Sequence, residues 1–421
     1  MRVLLAAYAE KTHFLGMVPL AWALQNAGHE VRVASQPALT EAVTSAGLTA
    51  VPLGRDHRLH QLLAPADERT PDEGGFDFAE RRPEVLDWPY LRAGYANVVP
   101  WWFRLVNDGL VDALVGYARR WRPDLVLWEP VTFAGAVAAE AVGAAHARML
   151  WCTDLFTRMR QHYLARRAEQ PDPGPDPLQT WLTGLATRHG VAYAETLTTG
   201  HFTVDTVPPS LRADPELGLD GLGLDYLSVR PVPYHGRSVV PDWLRAPKTR
   251  PRVAVTMGVS STEALDGYSV GLAGLLASLA HLDAEVVATV PPEQQAALGP
   301  LPDNVRLVPF TPLDVLVPTC DVVVGHGGYG SYCTVLARGV PQVVVPFFFD
   351  GGERAEYLAR QGAGVVVPPR QVGGVAAAVA RVLADESYVD SAARLAAELR
   401  GLPTPSELVR DLELRTAKYG R

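Results

Sequence analysis

The chain has 421 residues, 48% of them apolar and 20% charged, so it is a core-forming protein long enough for two domains rather than a disordered one. Its net charge of −8 argues against a nucleic-acid binder, a class more often basic. The three cysteines, Cys152, Cys320 and Cys333, have neither disulfide nor zinc spacing and read as small buried residues of a reducing, cytoplasmic setting.

In chain order, the apolar run Arg2 to Ala9 predicts a buried strand. Its end, Ala7-Tyr8-Ala9, mimics a signal cleavage site. The run nevertheless starts at the initiator and lacks the basic region and the ~15–30 residues of a signal peptide. No apolar run reaches the roughly 20 residues of a membrane span. Glu10 to Gly16 reads as a loop. Pro19 suits the first turn of a helix with Leu20, Ala23, Leu24 and Ala27 on its apolar face, ended by Gly28. A strand, Glu30 to Ser35, a helix, Pro37 to Ala46, and a strand, Ala50 to Leu53, follow. This alternation predicts a parallel, doubly wound α/β sheet.

His57 to Pro100 breaks the rhythm with Pro71, Pro83, Pro89, Pro100 and acidic clusters and reads as a long irregular insertion. Trp88, Tyr90, Tyr95, Trp101, Trp102 and Phe103 gather at its end. Trp88, Tyr90 and Trp101 are candidates for the wall of an apolar acceptor site or a docking surface; equally, Trp101 to Phe103 pack a helix on the core. Leu105 to Trp121 and Phe133 to Val142 predict helices, and Asp124 to Trp128, His146 to Leu150 and Phe202 to Val207 predict strands. Gln170 to Pro177 is a surface loop. The proline-rich stretch Pro231 to Arg250 is placed as the interdomain connection.

A second α/β set opens at Arg252 to Met257, with strands at Val286 to Val290, Val305 to Pro309, Val322 to Val324 and Val343 to Val345. Helices Val372 to Ala384 and Ser391 to Leu399, the second with Asp390 as N-cap, lead to a last helix beginning at Pro405. The domains are therefore placed at 1–235 and 236–400, with 401–421 as a terminal helix.

The most chemically telling stretch is DVVVGHGGYGSYCTVLA, Asp321 to Ala337. A β-branched strand runs into Gly325, His326, Gly327, Gly328 and Gly330, and Ser331 opens a helix. Glycines let the backbone approach a ligand, and a helix N-terminus offers unpaired N–H groups to an anion, most often phosphate. His326 adds a donor able to become cationic near neutral pH. Asp350 follows the PQVVVP strand, where a carboxylate meets sugar hydroxyls or caps the next helix. His13 follows the first strand and suits a general base, and Glu129 ends another strand of the same sheet. Each has a plainer reading: a bystander loop histidine, a surface carboxylate before a helix.

The stretch GHGGYGSYCTVLARGVPQVVVPFFFD, with GAGVVVP downstream and THFLGMVPLAWALQNAGHEVRVASQPALT and RPDLVLWEP upstream, resembles inverting family 1 glycosyltransferases of the actinomycete antibiotic branch, along nearly the whole chain. The resemblance implies a GT-B fold of two Rossmann-like domains facing across a cleft, the first binding acceptor and the second a nucleotide sugar. The last helix would cross back to the first domain. It implies transfer of a deoxysugar from a thymidine diphosphate (TDP) donor to a polyketide hydroxyl, macrolide or aromatic, without a metal. His13 stands where the family carries its catalytic histidine, and Glu129 where many members carry aspartate. Ser260 and Ser261 stand in a loop that the family uses on the diphosphate, although a helix N-cap reading is compatible. Asp350 is followed by Gly351 where many members have glutamine, which suits a deoxysugar. Macrolide-branch members often need a cytochrome-P450-like activator protein; that protein and a second copy of the chain are the candidate partners. Two other classes fit the sequence less well. A nicotinamide-dependent dehydrogenase would need G-x-G-x-x-G after the first strand, which Ala6 to Gly16 lacks. A non-catalytic nucleotide-sugar-binding helper subunit would not need His13, His326 and Asp350 together.

Overall fold

The computed structural model describes residues 1–59, 76–212, 224–258, 271–346 and 349–421. The chain forms two compact units. Unit 1 comprises Met1–Thr206, Ala213–Arg230 and Pro403–Arg421, and unit 2 comprises Val207–Arg212 and Pro231–Leu402.

Unit 1 is built on a seven-stranded sheet: β1 (Arg2–Ala6), β2 (Glu30–Ser35), β3 (Ala50–Pro52), β4 (Leu125–Trp128), β5 (Ala145–Met149), β6 (Phe202–Asp205) and β7 (Tyr226–Ser228), in the order β3-β2-β1-β4-β5-β6-β7. All its pairings are parallel. Helices cover both faces of such a sheet, so its central strands are apolar throughout; β4, LVLW, is buried at every residue. Helix Phe133–Glu140 lies against it at close range. A Cβ on Gly135 would stand 2.7 Å from the Trp128 Cβ, so only glycine fits there.

Unit 2 repeats the plan with β8 (Arg252–Thr256), β9 (Glu285–Thr289), β10 (Val305–Val308), β11 (Val322–Gly325), β12 (Gln342–Val344) and β13 (Gly364–Val366), in the order β10-β9-β8-β11-β12-β13. Valines of β8, β9, β11 and β12 pack one core face with Leu272, Leu275, Leu276 and Val379. In both sheets the strand order reverses beside the first strand. The crevice beyond the strand carboxyl ends at such a point is where open α/β sheets bind ligands.

Several elements differ from the sequence expectation. Glu10 to Gly16 is not a loop: Lys11–Leu15 is a short helix whose start is capped by Glu10, which accepts from Thr12 N and Thr12 Oγ1. The described end of the insertion is ordered too. Trp88–Val98 is a helix capped by Asp87, with Pro89 in its first turn, and it continues as a π turn, Val99–Phe103. Prolines read as breakers thus sit where a helix tolerates them. The helix expected over Leu105 to Trp121 is interrupted between Arg104–Asn107 and Val111–Trp121. Buried Asn107 holds the break, donating to the Phe103 and Val131 carbonyls and accepting from Ala134 N. Asp390 is not an N-cap; it lies inside helix Ser387–Gly401.

The chain first enters unit 2 at Val207–Arg212, where Val207 and Leu211 join an apolar cluster with Leu336, Leu358 and Leu395. The last helix, Pro405–Tyr419, carries a complete capping box of Thr404 and Glu407 and belongs to unit 1. Among the described residues, no helix is long and apolar enough to cross a membrane.

Candidate active site

In unit 1 the site follows from the register of two neighbouring strands. Ala6 pairs with Trp128, and the Glu129 amide donates to the Ala6 carbonyl at 3.1 Å. The chain segments after β1 and β4 therefore leave the sheet side by side, at its reversal point. His13 comes from the short helix after β1 and Glu129 from the residue after β4. His13 is 9% exposed and Glu129 is fully buried. His13 Nδ1 lies 3.4 Å from Glu129 Oε2, within ion-pair reach though not aligned as a hydrogen bond.

Glu129 is held from several sides. Thr132 Oγ1 donates to Oε1; Val131 N (3.2 Å) and Trp151 Nε1 (2.9 Å) donate to Oε2. Together these donors fix the position of both carboxylate oxygens. The Trp151 ring stacks on the His13 imidazole at 3.7 Å and 19°, and Tyr8 meets the imidazole edge-on at 5.2 Å. Burial, then Glu129 and Glu10, raises the Tyr8 phenol well above its usual value, so it remains neutral. Sequence reasoning found His13 and Glu129 but missed Thr132, Trp151 and Tyr8. The usable signal was position alone, since each of the three follows a strand of the sheet.

In unit 2 the matching reversal point lies between β8 and β11. Gly325 pairs with Thr256, bringing Gly258 beside His326. A Cβ on Gly258 would stand 2.3 Å from His326 Cε1, and one on Gly328 2.3 Å from Nε2. The imidazole is therefore cradled between two glycines, and Gly258 also has φ +77°. Helix Tyr329–Arg338 starts immediately after Gly328, placing Ser331 in its first turn. Gly327 has φ +79° and packs against Val344; Gly330 has open space around it.

The expectation of a His326 cationic near neutral pH does not hold. Burial pushes its imidazole down to about 4, and Arg354 adds to this. The Thr256 backbone, at the edge of hydrogen-bond geometry, pulls the other way. At pH 7 His326 is a neutral hydrogen-bonding group.

Asp350 stands at the N-cap position of helix Gly351–Arg360 without making a cap hydrogen bond. It is 2% exposed, and its carboxylate is taken up by the buried Arg354 one turn on. Arg354 also donates to the Gly327 carbonyl and lies over the Tyr329 and Tyr332 rings. Sequence reasoning missed Arg354, although its spacing from Asp350 is that of a helical ion pair. Ser260 and Ser261 lie outside the described residues.

Of the acceptor-wall candidates, Trp88 packs on Tyr163 at 5.3 Å, Tyr90 accepts from Asp77 N through its hydroxyl, and Trp101 is 40% exposed and stacks on Trp102. Phe103 is core. A small cavity of unit 1 is instead lined by Phe78, Tyr95, Phe103, Phe133, Phe156 and Arg160, with none of the three candidates. Phe156 lies 6.1 Å from Trp151, which joins this aromatic group to the His13 site.

Among the described residues one group brings metal-ligating atoms together: Glu140, His146 and His201, within 4.8 Å. Both imidazoles direct Nε2 at Glu140 Oε1 at 3.2 Å. Each Nδ1 accepts a hydrogen bond, from Trp128 Nε1 and from His146 N. A neutral imidazole with Nδ1 accepting carries its proton on Nε2. A metal there would force Nδ1–H against N–H, so the group is a satisfied hydrogen-bond cluster.

Two Rossmann-like parallel sheets, each with side chains gathered at its reversal point, are the architecture of GT-B glycosyltransferases. The models "Erythromycin biosynthesis protein CIII-like, N-terminal domain" and "C-terminal domain" match residues 22–258 and 273–414. The chain is 46% identical to 10-deoxymethynolide desosaminyltransferase of Streptomyces venezuelae over 100% of its own length and 98% of the relative's. It is 44% identical to erythronolide mycarosyltransferase of Saccharopolyspora erythraea over the full length of both. The solved structure of glycosyltransferase VinC in complex with dTDP superposes with a TM-score of 0.88 at 38% identity, covering 99% of this chain and 100% of that one. The chain belongs to the Erythromycin biosynthesis protein CIII-like family and is a glycosyltransferase.

Proposed function

We propose that the chain transfers a deoxysugar from a TDP donor to a hydroxyl of a polyketide aglycone, with inversion at the anomeric carbon. The observation that carries this reading is the buried His13–Glu129 pair at the reversal point of unit 1, in a chain 46% identical to a desosaminyltransferase. His13 takes the acceptor hydroxyl proton on Nε2 as the oxygen attacks the anomeric carbon. The bond from that carbon to the diphosphate breaks, and TDP leaves with the electron pair. Glu129 faces the imidazolium and stabilises it without taking its proton. Neutral His326 and the first amides of helix Tyr329–Arg338 offer hydrogen bonds to the diphosphate, where charge develops. Gly327, Gly328, Gly330 and Ser331 form the same loop, and Ser260 and Ser261 complete the diphosphate contacts. No metal is required in this scheme. Asp350 serves the sugar only where its ion pair with Arg354 opens, so its first role is to hold Arg354 against the loop.

A cytochrome-P450-like activator docking through the exposed Trp101, and a second copy of the chain, remain part of the proposal. The test is a panel of TDP-deoxysugars and of macrolide and anthracyclinone aglycones, with and without such an activator, read by product mass spectrometry. The reading expects an aglycone gaining one deoxysugar residue, with TDP released in equal amount. Tight donor binding with no product in any combination would instead favour a nucleotide-sugar-binding subunit.

A further inference from the structure

Trp151 contacts both members of the proposed base pair, and nothing in the reaction scheme above uses it. We propose that it is a positioning residue for the transfer: its ring face fixes the plane of the His13 imidazole, and its N–H holds the Glu129 carboxylate. The proposal rests on the reading of His13 as base.

The geometry gives each half of the side chain a distinct task. Trp151 follows β5, the strand next to β4, so its indole reaches Glu129 from the side opposite β1. Its Nε1 donates to Glu129 Oε2 at 2.9 Å, the same oxygen that lies 3.4 Å from His13 Nδ1. A glutamate side chain has three rotatable bonds, so an unrestrained carboxylate would swing. Thr132 restrains one oxygen and Trp151 the other.

The stack, at 3.7 Å and 19°, leaves the imidazole little freedom to rotate. When the imidazole takes the acceptor proton it becomes a cation lying on an indole face, the most favourable aromatic partner for a cation. The stack therefore favours the state that forms during reaction over the neutral resting state, which is the condition for speeding the chemical step. One side chain thus places its N–H on the buried carboxylate and its face on the imidazole. The further contact with Phe156 anchors the ring.

Two variants separate the two tasks. Trp151→Leu removes face and N–H; Trp151→Phe keeps a face and removes only the N–H. Single-turnover kcat, acceptor KM, Tm and TDP affinity are measured for each, with His13→Ala alongside. For Trp151→Leu, kcat is expected to fall about 10–100-fold, the scale of a misplaced catalytic group, with TDP affinity unchanged because TDP binds unit 2. Trp151→Phe recovers part of this loss. The readout that packing alone would not move is the split between kcat and KM together with rescue by the conservative variant: kcat falls with acceptor KM and Tm unchanged, and Trp151→Phe, which keeps a ring face on His13, stands between wild type and Trp151→Leu. The proposal is overturned if Trp151→Leu keeps wild-type kcat. It is equally overturned if both variants lose activity only through KM or Tm. If His13→Ala also turns over normally, the base reading itself has failed; if His13→Ala is inactive while Trp151→Leu is normal, only the tryptophan proposal falls.

Discussion

Binding of TDP should draw a proton onto His326. In the free protein, burial and Arg354 hold the imidazole down at about 4. An opposite charge placed within hydrogen-bond reach raises a pKa by about 1–3 units, so the bound value falls near 5–7. At pH 5.5 the free ring is then about 3% protonated and the bound ring about 25–97%, a linked uptake of roughly 0.2–0.9 proton. TDP affinity accordingly rises as pH falls from 7 toward 5, by about 2- to 45-fold across that range of bound values. Isothermal titration calorimetry in buffers of different ionisation enthalpy measures the uptake directly. The terminal phosphate itself titrates near pH 6, as phosphate esters do, so the His326→Gln variant provides the subtraction. Equal uptake by wild type and His326→Gln at pH 5.5 would refute the reasoning, placing the diphosphate away from the imidazole.

Three further outcomes follow from the same geometry. In the absence of ligand, the depressed His326 means that the unfolded state binds the extra proton first. Its contribution is therefore complete above about pH 6.5 and declines toward pH 4, by at most about 3 kcal/mol; comparing wild type with His326→Gln in denaturant melts across that window checks it. Asp350→Ala strands the Arg354 charge in the interior and should cost about 3–5 kcal/mol of stability, recovered in part by adding Arg354→Met; a neutral Asp350→Ala would contradict the described pair. Glu140→Ala leaves two Nε2–H donors unanswered and should lower stability by about 1–3 kcal/mol, while added Zn²⁺ leaves the wild-type Tm unchanged. A Tm raised by stoichiometric Zn²⁺ would overturn the assigned tautomers.

Much of the fold was legible because parallel strands buried on both faces read as short β-branched or apolar runs, as in LLA before Ala7 and VVV before Gly325. The positions of His13, Glu129 and His326 followed from strand carboxyl ends. Short edge strands, β7 and β13, carried too few residues to show a pattern. Proline misled the reading of Trp88–Val98, since Pro89 in a first turn looks locally like a breaker. The state of His326 was not legible at all. Its glycine neighbours read as letting the backbone approach a ligand, whereas they also let it close around the ring. Asp350 was read by its place after a strand, but its partner Arg354 decides where its charge goes. Trp151 was invisible as a functional residue, because its two contacts come from residues more than twenty and more than one hundred positions away in sequence.

The central claim is that His13 is the base of a sugar transfer whose donor binds elsewhere on the chain. Its most direct test is single-turnover product formation by wild type and His13→Ala, with TDP affinity measured on the same preparations. The account predicts a fall of about 10²–10⁴-fold in the chemical step with unchanged TDP affinity. Near-wild-type product formation by His13→Ala, with chemistry rate-limiting, would contradict it.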